Sequence, residues 1–371
     1  MIIEWVETAR QFTDHQLSPL SEQLDRENRF PDELLEKMVD LKFFGMHYPV
    51  EYGGSALDSV TAYEVLREIS RGSAGVALTL AVHWMACDAL LKFGTESQKQ
   101  KYLVPMLKGE KLASFIISEP QAGSDAGAII TEAQPEGTSW LVNGIKYFCT
   151  NGELATLYFV AVKTNVEAGP KGISMMIIEK GTAGFEVGPH AEKMGCRSSV
   201  TTSLILKNCR VKAANVLGTV NNGFKVAMYG LVGGRLGMAV MGLGISEAAF
   251  AQGVKYAKQR QAFGKPLSKL YAIQEKVADM VVKLHTLRLL IKDTACKRDS
   301  GDDYAAESSI AKIYAAEVSN HVCCQSLQIY GGHGYMKHNF MERYVRDARL
   351  MDIGVGASEV LKMVLGAGSL Q

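Results

Sequence analysis

Residues Phe224–Gly264 read FKVAMYGLVGGRLGMAVMGLGISEAAFAQGVKYAKQRQAFG. Apolar residues recur three and four apart through this run, and small residues gather on one face, as closely packed helices require. Helical period persists from about Gly223 to the end of the chain. Its sparse breakers, chiefly FGKP at 263–266 and KRDSGDD at 297–303, fit loops between antiparallel helices of a bundle.

Upstream the texture changes. Between Leu112 and about Gly218, the segments ASFIIS, SWLVNGIKYFCT, LYFVAVKT, GISMMIIEK and SLILKNCRV are short β-rich runs separated by Gly, Pro and Asn. From Met1 to about Lys111 the period is helical again, in PDELLEKMVDLKFFGM and SVTAYEVLREISR. The segment GVALTLAVHWMACDALLKFG is apolar nearly all round, which predicts a buried central helix. The order predicts an N-terminal α-helical domain over 1–111, a middle β domain over 112–222 and a C-terminal helical bundle over 223–371.

The 371 residues hold 40 basic and 39 acidic side chains, a formal net charge of +1. Nucleic-acid grooves and polybasic membrane anchors need a concentrated surplus of Lys and Arg, so neither partner is expected and ligand recognition must be local. The amino terminus, MIIEWVETARQFTDHQ, is amphipathic with early acids, unlike the basic start of a signal peptide. No run reaches the eighteen or so apolar residues of a spanning helix, and a cytoplasmic protein without membrane insertion is the expectation. Seven cysteines without a CxxC suit reduced thiols better than a disulfide framework. The eight histidines show no HExxH, and no metal is expected.

SEPQAGSDAG, Ser118–Gly127, follows the strand ASFII directly. Alone it reads as a surface turn or as a cluster of hydroxyls and free N–H groups able to meet a carbonyl-rich ring or a phosphate. Its spacing excludes a P-loop. Some 20 residues later, KYFCTNG sets an aromatic pair beside Thr150, a plausible platform for a flat heterocycle.

At this point the sequence resembles the acyl-CoA dehydrogenase family. That family's TEPGAGSD stands here as SEPQAGSD, its KxWITNG as KYFCTNG and its KMGxR as Lys193–Arg197; YAKQRQAFGKPL (256–267), QIYGGHGY (328–335) and RDARL match further signatures in order. The resemblance implies a helical domain, a β domain and a C-terminal four-helix bundle, assembled as a homotetramer built of dimers. It also implies noncovalently bound FAD, an acyl-CoA substrate and an electron-transfer flavoprotein as electron acceptor. By the same resemblance Ser118 hydrogen-bonds the flavin ring, Phe148 packs on it, Thr150 lies near N5 and Ser124 lies between cofactor and substrate. Arg260, Phe263, Gln328 and Gly332 would hold the FAD phosphates and adenosine across a dimer interface, and Arg235 would lie near the CoA site.

The family usually removes the substrate's α-proton with a Glu shortly after RDA, in a YEGTSEI-like stretch. Counting from Arg346-Asp347-Ala348, that position is Val355, followed by Gly356. A second family arrangement places the Glu immediately before the Arg that matches Arg235, and here that residue is Gly234. Valine and glycine accept no proton. Three readings compete: a relocated base acting on a cyclic or unsaturated acyl thioester similar to cyclohexene-carboxyl-CoA, a desulfinase-like elimination, and a decayed CoA- or flavin-binding protein. Substrate contacts are expected from Ser124, Arg235, Val355 and Gly356.

Asp88 is the candidate relocated base, because an unpaired carboxylate on so apolar a helix would be desolvated toward a useful pKa. The plain alternatives are an Asp at an exposed helix end or one paired to an Arg. His83 on the same helix reads as a satisfied core histidine with a smaller claim to a direct role. That helix carries no Arg, which counts against the elimination, since a cation should reach the acyl pocket.

Overall fold

The computed structural model describes residues 2–370. Helices α1 (Ile2–Phe12), α2 (Ser18–Glu27), α3 (Leu35–Asp40), α4 (Ser59–Gly72), α5 (Ala74–Phe93), α6 (Glu96–Gln98) and α7 (Val104–Leu107) form the first unit. The Asp58 carboxylate caps α4 by accepting the Thr61 N–H at 2.7 Å, and the Ser73 hydroxyl accepts the Val76 N–H at the start of α5. Such caps satisfy N–H groups that have no partner inside the helix. Every residue of α5 from Ala74 to Leu90 is buried, as its all-round apolar sequence predicts.

The second unit is one eight-stranded sheet. Strands β1 (Ala113–Ile116), β2 (Glu132–Glu136), β3 (Ser139–Thr150), β4 (Leu157–Lys163), β5 (Ile173–Glu179), β6 (Phe185–Val187), β7 (Thr201–Lys212) and β8 (Val216–Leu217) lie in the order β6-β7-β3-β2-β4-β5-β8, and β1 pairs with β4 in parallel. Strand β2, EAQPE, escapes the sequence pattern because it is polar and contains Pro, which is depleted in strands.

The third unit begins with α8 (Gly223–Gln259), an unbroken helix of 37 residues and so about 55 Å long at 1.5 Å per residue. A hairpin of β9 (Gln261–Ala262) and β10 (Lys265–Pro266) turns the chain at FGKP. Helices α9 (Tyr271–Ser300), α10 (Ala305–Tyr330), α11 (Gly332–Tyr335), α12 (Met341–Ile353) and α13 (Ser358–Ser369) complete it. The small-residue face of α8 lets neighbours approach closely: a Cβ on Gly237 would sit 3.3 Å from Ala81 Cβ of α5, and one on Gly253 3.2 Å from Ser326 Cβ of α10.

One sequence expectation needs correction. Helices α5 and α8 each contain a window long and apolar enough to cross a membrane, although none was expected. In the fold these windows are 94% and 72% buried against other protein elements, so the apolar length serves the core.

Candidate active site

The C-terminal ends of β1 and β3 adjoin, with Ser114 Oγ donating to the Thr150 carbonyl. Ser118 follows β1, and its carbonyl accepts the Tyr147 N–H of β3 at 3.0 Å. Between them lies a fully buried ion pair: Lys146 Nζ donates to Glu119 Oε1 at 2.6 Å and to the Ile117 carbonyl at 3.0 Å. Glu119 also accepts the N–H groups of Ile130 and Thr131 at 2.7 and 3.0 Å. Burial raises its pKa, but the Lys146 ammonium and these N–H groups outweigh burial and hold it below the ordinary value of 4.5. A carboxylate depressed in the folded state stabilises above the unfolded pKa and loses that contribution as pH falls through the folded one. Glu119→Gln should therefore flatten the acid limb of stability below pH 4.5, measured as urea midpoint against pH; an unchanged limb would count against this pairing.

The β3–β7 register shifts between Lys146 and Cys149. In this bulge Phe148 takes φ +55° and turns outward, 71% exposed. Bulges re-aim side chains in this way. Two residues on, Thr150 is half-buried, and Asn151 Nδ2 ties the strand end to α5 by donating to the Thr79 and Ala113 carbonyls, both at 3.0 Å. Among the described residues neither the Ser118 nor the Thr150 hydroxyl has a hydrogen-bond partner. Two uncommitted hydroxyls beside an outward aromatic face fit a flat ring edged with acceptors, which is what a flavin offers. Ser124 lies exposed on the intervening loop.

A left-handed turn follows α12 directly. Gly354 ends that helix, and Val355 and Gly356 follow with φ +56° and +106°. A β-branched residue at positive φ is a genuine outlier costing about 1–3 kcal/mol. Lys312 of α10 holds the turn by donating from Nζ to the Gly356 carbonyl at 2.7 Å and the Asp352 carbonyl at 3.1 Å. Burial lowers the Lys312 pKa to about 8. A Cβ built on Gly234 would lie 2.9 Å from Val355 Cγ1 and 2.7 Å from Met85 Sδ. The two positions from which a base would be expected thus converge on one spot, and apolar atoms fill it. Arg235 lies alongside, its Nη1 donating to Ser309 Oγ at 3.3 Å and its Nε 3.9 Å from where a Gly356 Cβ would be.

One residue around α8, a Cβ on Gly233 would meet Asp88 Oδ2 at 2.6 Å. The expectation of an unpaired Asp88 is not met. Its Oδ1 accepts from Tyr48 Oη at 2.9 Å and from Arg298 Nη2 at 2.8 Å, and Arg298 Nη1 donates to Tyr63 Oη at 2.7 Å. Burial works against the Arg298 charge, but Asp88 and the surrounding tyrosines more than offset it and raise its pKa. Arg298 comes from the C-terminal end of α9, so a cation does reach this region although α5 supplies none. Among the described residues Asp88 Oδ2 has no hydrogen-bond partner.

His83 is a satisfied core histidine. Its Nδ1 accepts the Ala113 N–H at 3.2 Å, Nε2 lies 3.2 Å from the Met106 carbonyl, and burial lowers its pKa to about 4.

The remaining predicted residues gather far away. Arg260 caps the end of α8, Phe263 projects from the hairpin with 89% exposure, Gln328 lies in the last turn of α10 and Gly332 opens α11, and the Tyr256–Tyr330 stack at 4.1 Å joins α10 to α8. Gly237, beside α5, and the C-cap Arg260 are 23 residues apart along one unbroken helix, hence about 35 Å of helix length. The phosphate-binding set of a single chain therefore lies at the C-terminal end of α8, well along the helix from the segment that faces α5 and Val355. A separate surface cavity of about 470 Å³, lined by Asp25, Arg197, Lys337 and Arg346 among others, contains none of these groups.

A helical unit, a β sheet with an outward aromatic–hydroxyl edge and a long-helix bundle define a flavin oxidoreductase of one known class. Residues 3–110, 114–209 and 221–370 match the N-terminal, middle and C-terminal domain models of acyl-CoA dehydrogenase, and the chain belongs to that family. Members use FAD and act on CH–CH groups. The chain is 40% identical over 365 residues to the 3-(aryl)acrylate reductase of Clostridium sporogenes, covering 98% of this chain and 97% of that one. The butyryl-CoA dehydrogenase of Megasphaera elsdenii superposes with a TM-score of 0.98 at 37% identity, over 100% and 98% of the two chains. A chain from work on the electron transferring flavoprotein of Acidaminococcus fermentans and flavin-based electron bifurcation matches equally well, with a TM-score of 0.98, 37% identity and the same coverage.

Proposed function

We propose that this flavin enzyme oxidises or reduces a cyclic or unsaturated acyl-CoA, similar to cyclohexene-carboxyl-CoA, with its proton handled by Asp88. One observation carries the proposal. Among the described residues, positions 234 and 355 meet in a spot without a carboxylate, while Asp88 Oδ2 of α5 faces the adjacent Gly233 and has no hydrogen-bond partner. FAD supplies the hydride acceptor when bound. Ser118 and Thr150 would hydrogen-bond the ring edge, Phe148 would cover its face, and Ser124, Arg235, Val355 and Gly356 would line the substrate.

Asp88 has the division of labour a buried base needs. Oδ1 is held in place by Tyr48 and Arg298, and Oδ2 is left to accept a proton. A substrate already unsaturated next to the thioester can lose a proton from its γ-carbon, away from Val355. Elimination from an anionic acyl group is the second reading, and the nearby cations Arg235 and Arg298 favour it. A decayed binding protein would have no use for uncommitted hydroxyls at the ring edge.

The distance along α8 between the segment facing α5 and Arg260 supports a cofactor shared between copies, in a homotetramer built of dimers. An electron-transfer flavoprotein is the proposed redox partner, in keeping with the setting of one structural relative. The test is anaerobic titration of the FAD-loaded protein. A cyclic enoyl-CoA should bleach the flavin while butyryl- and octanoyl-CoA do not; rapid bleaching by either saturated thioester would overturn the relocated base.

A further inference from the structure

The KYFCTNG motif contains a residue to which the proposed chemistry gives no task, Lys146. A lysine pointing into a sheet's core is costly, and replacing a buried ion pair by apolar side chains is often neutral or stabilising. Its retention asks for a reason other than stability. The contacts supply one: the Lys146 ammonium binds the Ile117 carbonyl at 3.0 Å and the Glu119 carboxylate at 2.6 Å, the residues immediately before and after Ser118. Ser118 is thus bracketed on both sides by one side chain. The Ser118 carbonyl is in turn fixed by the N–H of Tyr147, next to Lys146.

On the far side of Glu119, its second oxygen takes the Gln121 amide and the Ile130 N–H, both at 2.7 Å, so the whole 118–131 loop is anchored to the same carboxylate. Lys146 is also the last residue before the bulge that turns Phe148 outward. Ring-edge hydroxyl and ring-face aromatic come from separate segments of chain, and this ion pair is the buried link that sets one against the other.

We infer that Lys146 and Glu119 are positioning residues that hold the Ser118 hydroxyl in register with Phe148 and Thr150, and through that hydroxyl set the reduction potential of the bound flavin. Neither group touches the ring. The effect runs through placement, because a hydrogen bond to a ring carbonyl stabilises the reduced, anionic flavin only at correct distance and angle. The inference rests on the reading that Ser118 faces the flavin.

The experiment is a double-mutant cycle on the FAD-loaded full-length protein, read as flavin reduction potential by dye equilibration, with folding checked by circular dichroism. Ser118→Ala should lower the reduced-to-oxidised ratio about tenfold at fixed potential, or about 30 mV for a two-electron couple. Lys146→Met should cause a similar loss, the double variant should lose no more than either single one, and Lys146→Arg should recover part of it. A folded, yellow Lys146→Met protein with native potential overturns the inference, as does a full further loss when Ser118→Ala is added to it. Where Lys146→Met does not fold, the neutral pair Lys146→Gln with Glu119→Met is entered in the same cycle and read by the same criteria. No shift in Ser118→Ala alone overturns instead the placement of Ser118 at the flavin, a result separable from the others.

Discussion

Val355→Glu is expected to give this protein an activity that the proposed function denies it, rapid bleaching of its flavin by butyryl-CoA. Position 355 lies where a Gly234 side chain would also point, so a carboxylate there enters the spot now filled by Val355 Cγ1 and Met85. Arg235 is close enough to serve as its counter-ion, and among the described residues it has no acidic partner. An unbranched side chain also relieves some of the strain of φ +56°. A correctly placed general base contributes roughly 10²–10⁴-fold to a proton transfer. A gain of that order in the single-turnover rate with butyryl-CoA is the expected outcome. If the variant folds, holds FAD and still ignores the saturated thioester, then position 355 does not face the α-carbon.

The second large effect is expected at Asp88. Asp88→Asn should lower turnover with a cyclic enoyl-CoA by roughly 10²–10⁴-fold while FAD stays bound. The change also strands the Arg298 guanidinium, and breaking a buried pair from one side costs about 3–5 kcal/mol. Stability and catalysis must therefore be read apart. Asp88→Asn combined with Arg298→Met removes the stranded charge and should recover much of the urea midpoint without recovering turnover. Recovery of both would make Asp88 a structural residue and move the proton to water or a tyrosine of the cluster.

These expectations draw on a site that was only partly legible in the sequence. Val355 and Gly234 could be counted off because they stand at fixed offsets, Val355 just past the helix that carries RDA and Gly234 next to Arg235 within α8. The helical, β and helical units were legible for a related reason: long segments repeat one period many times, and α8 does so over 37 residues. Asp88 was found by its incongruity in an apolar helix, but its partner Arg298 lies 210 residues away, and no local pattern encodes which distant cation will close on which carboxylate. Lys146 and Glu119 were missed for a different reason. Each sits in a motif beside a hydroxyl that drew the chemical reading, and a lone charge in a half-buried strand usually faces solvent. Strand β2 lacked alternation altogether, since tertiary pairing with β3 and β4 overrides its weak propensity.

The turn at Val355 has a consequence for how such enzymes can change. Its left-handed backbone is held from outside, by Lys312 reaching the Gly356 and Asp352 carbonyls, and nothing in that grip depends on which side chain residue 355 carries. The position behaves as a socket, with shape supplied by the scaffold and contents free to vary. A cysteine placed there and alkylated with a haloacetate would seat a carboxylate on a longer arm in the same frame. Acid–base identity is therefore modular with respect to architecture, and a lineage can lose, replace or regain its base at this site by single substitutions without rebuilding the loop.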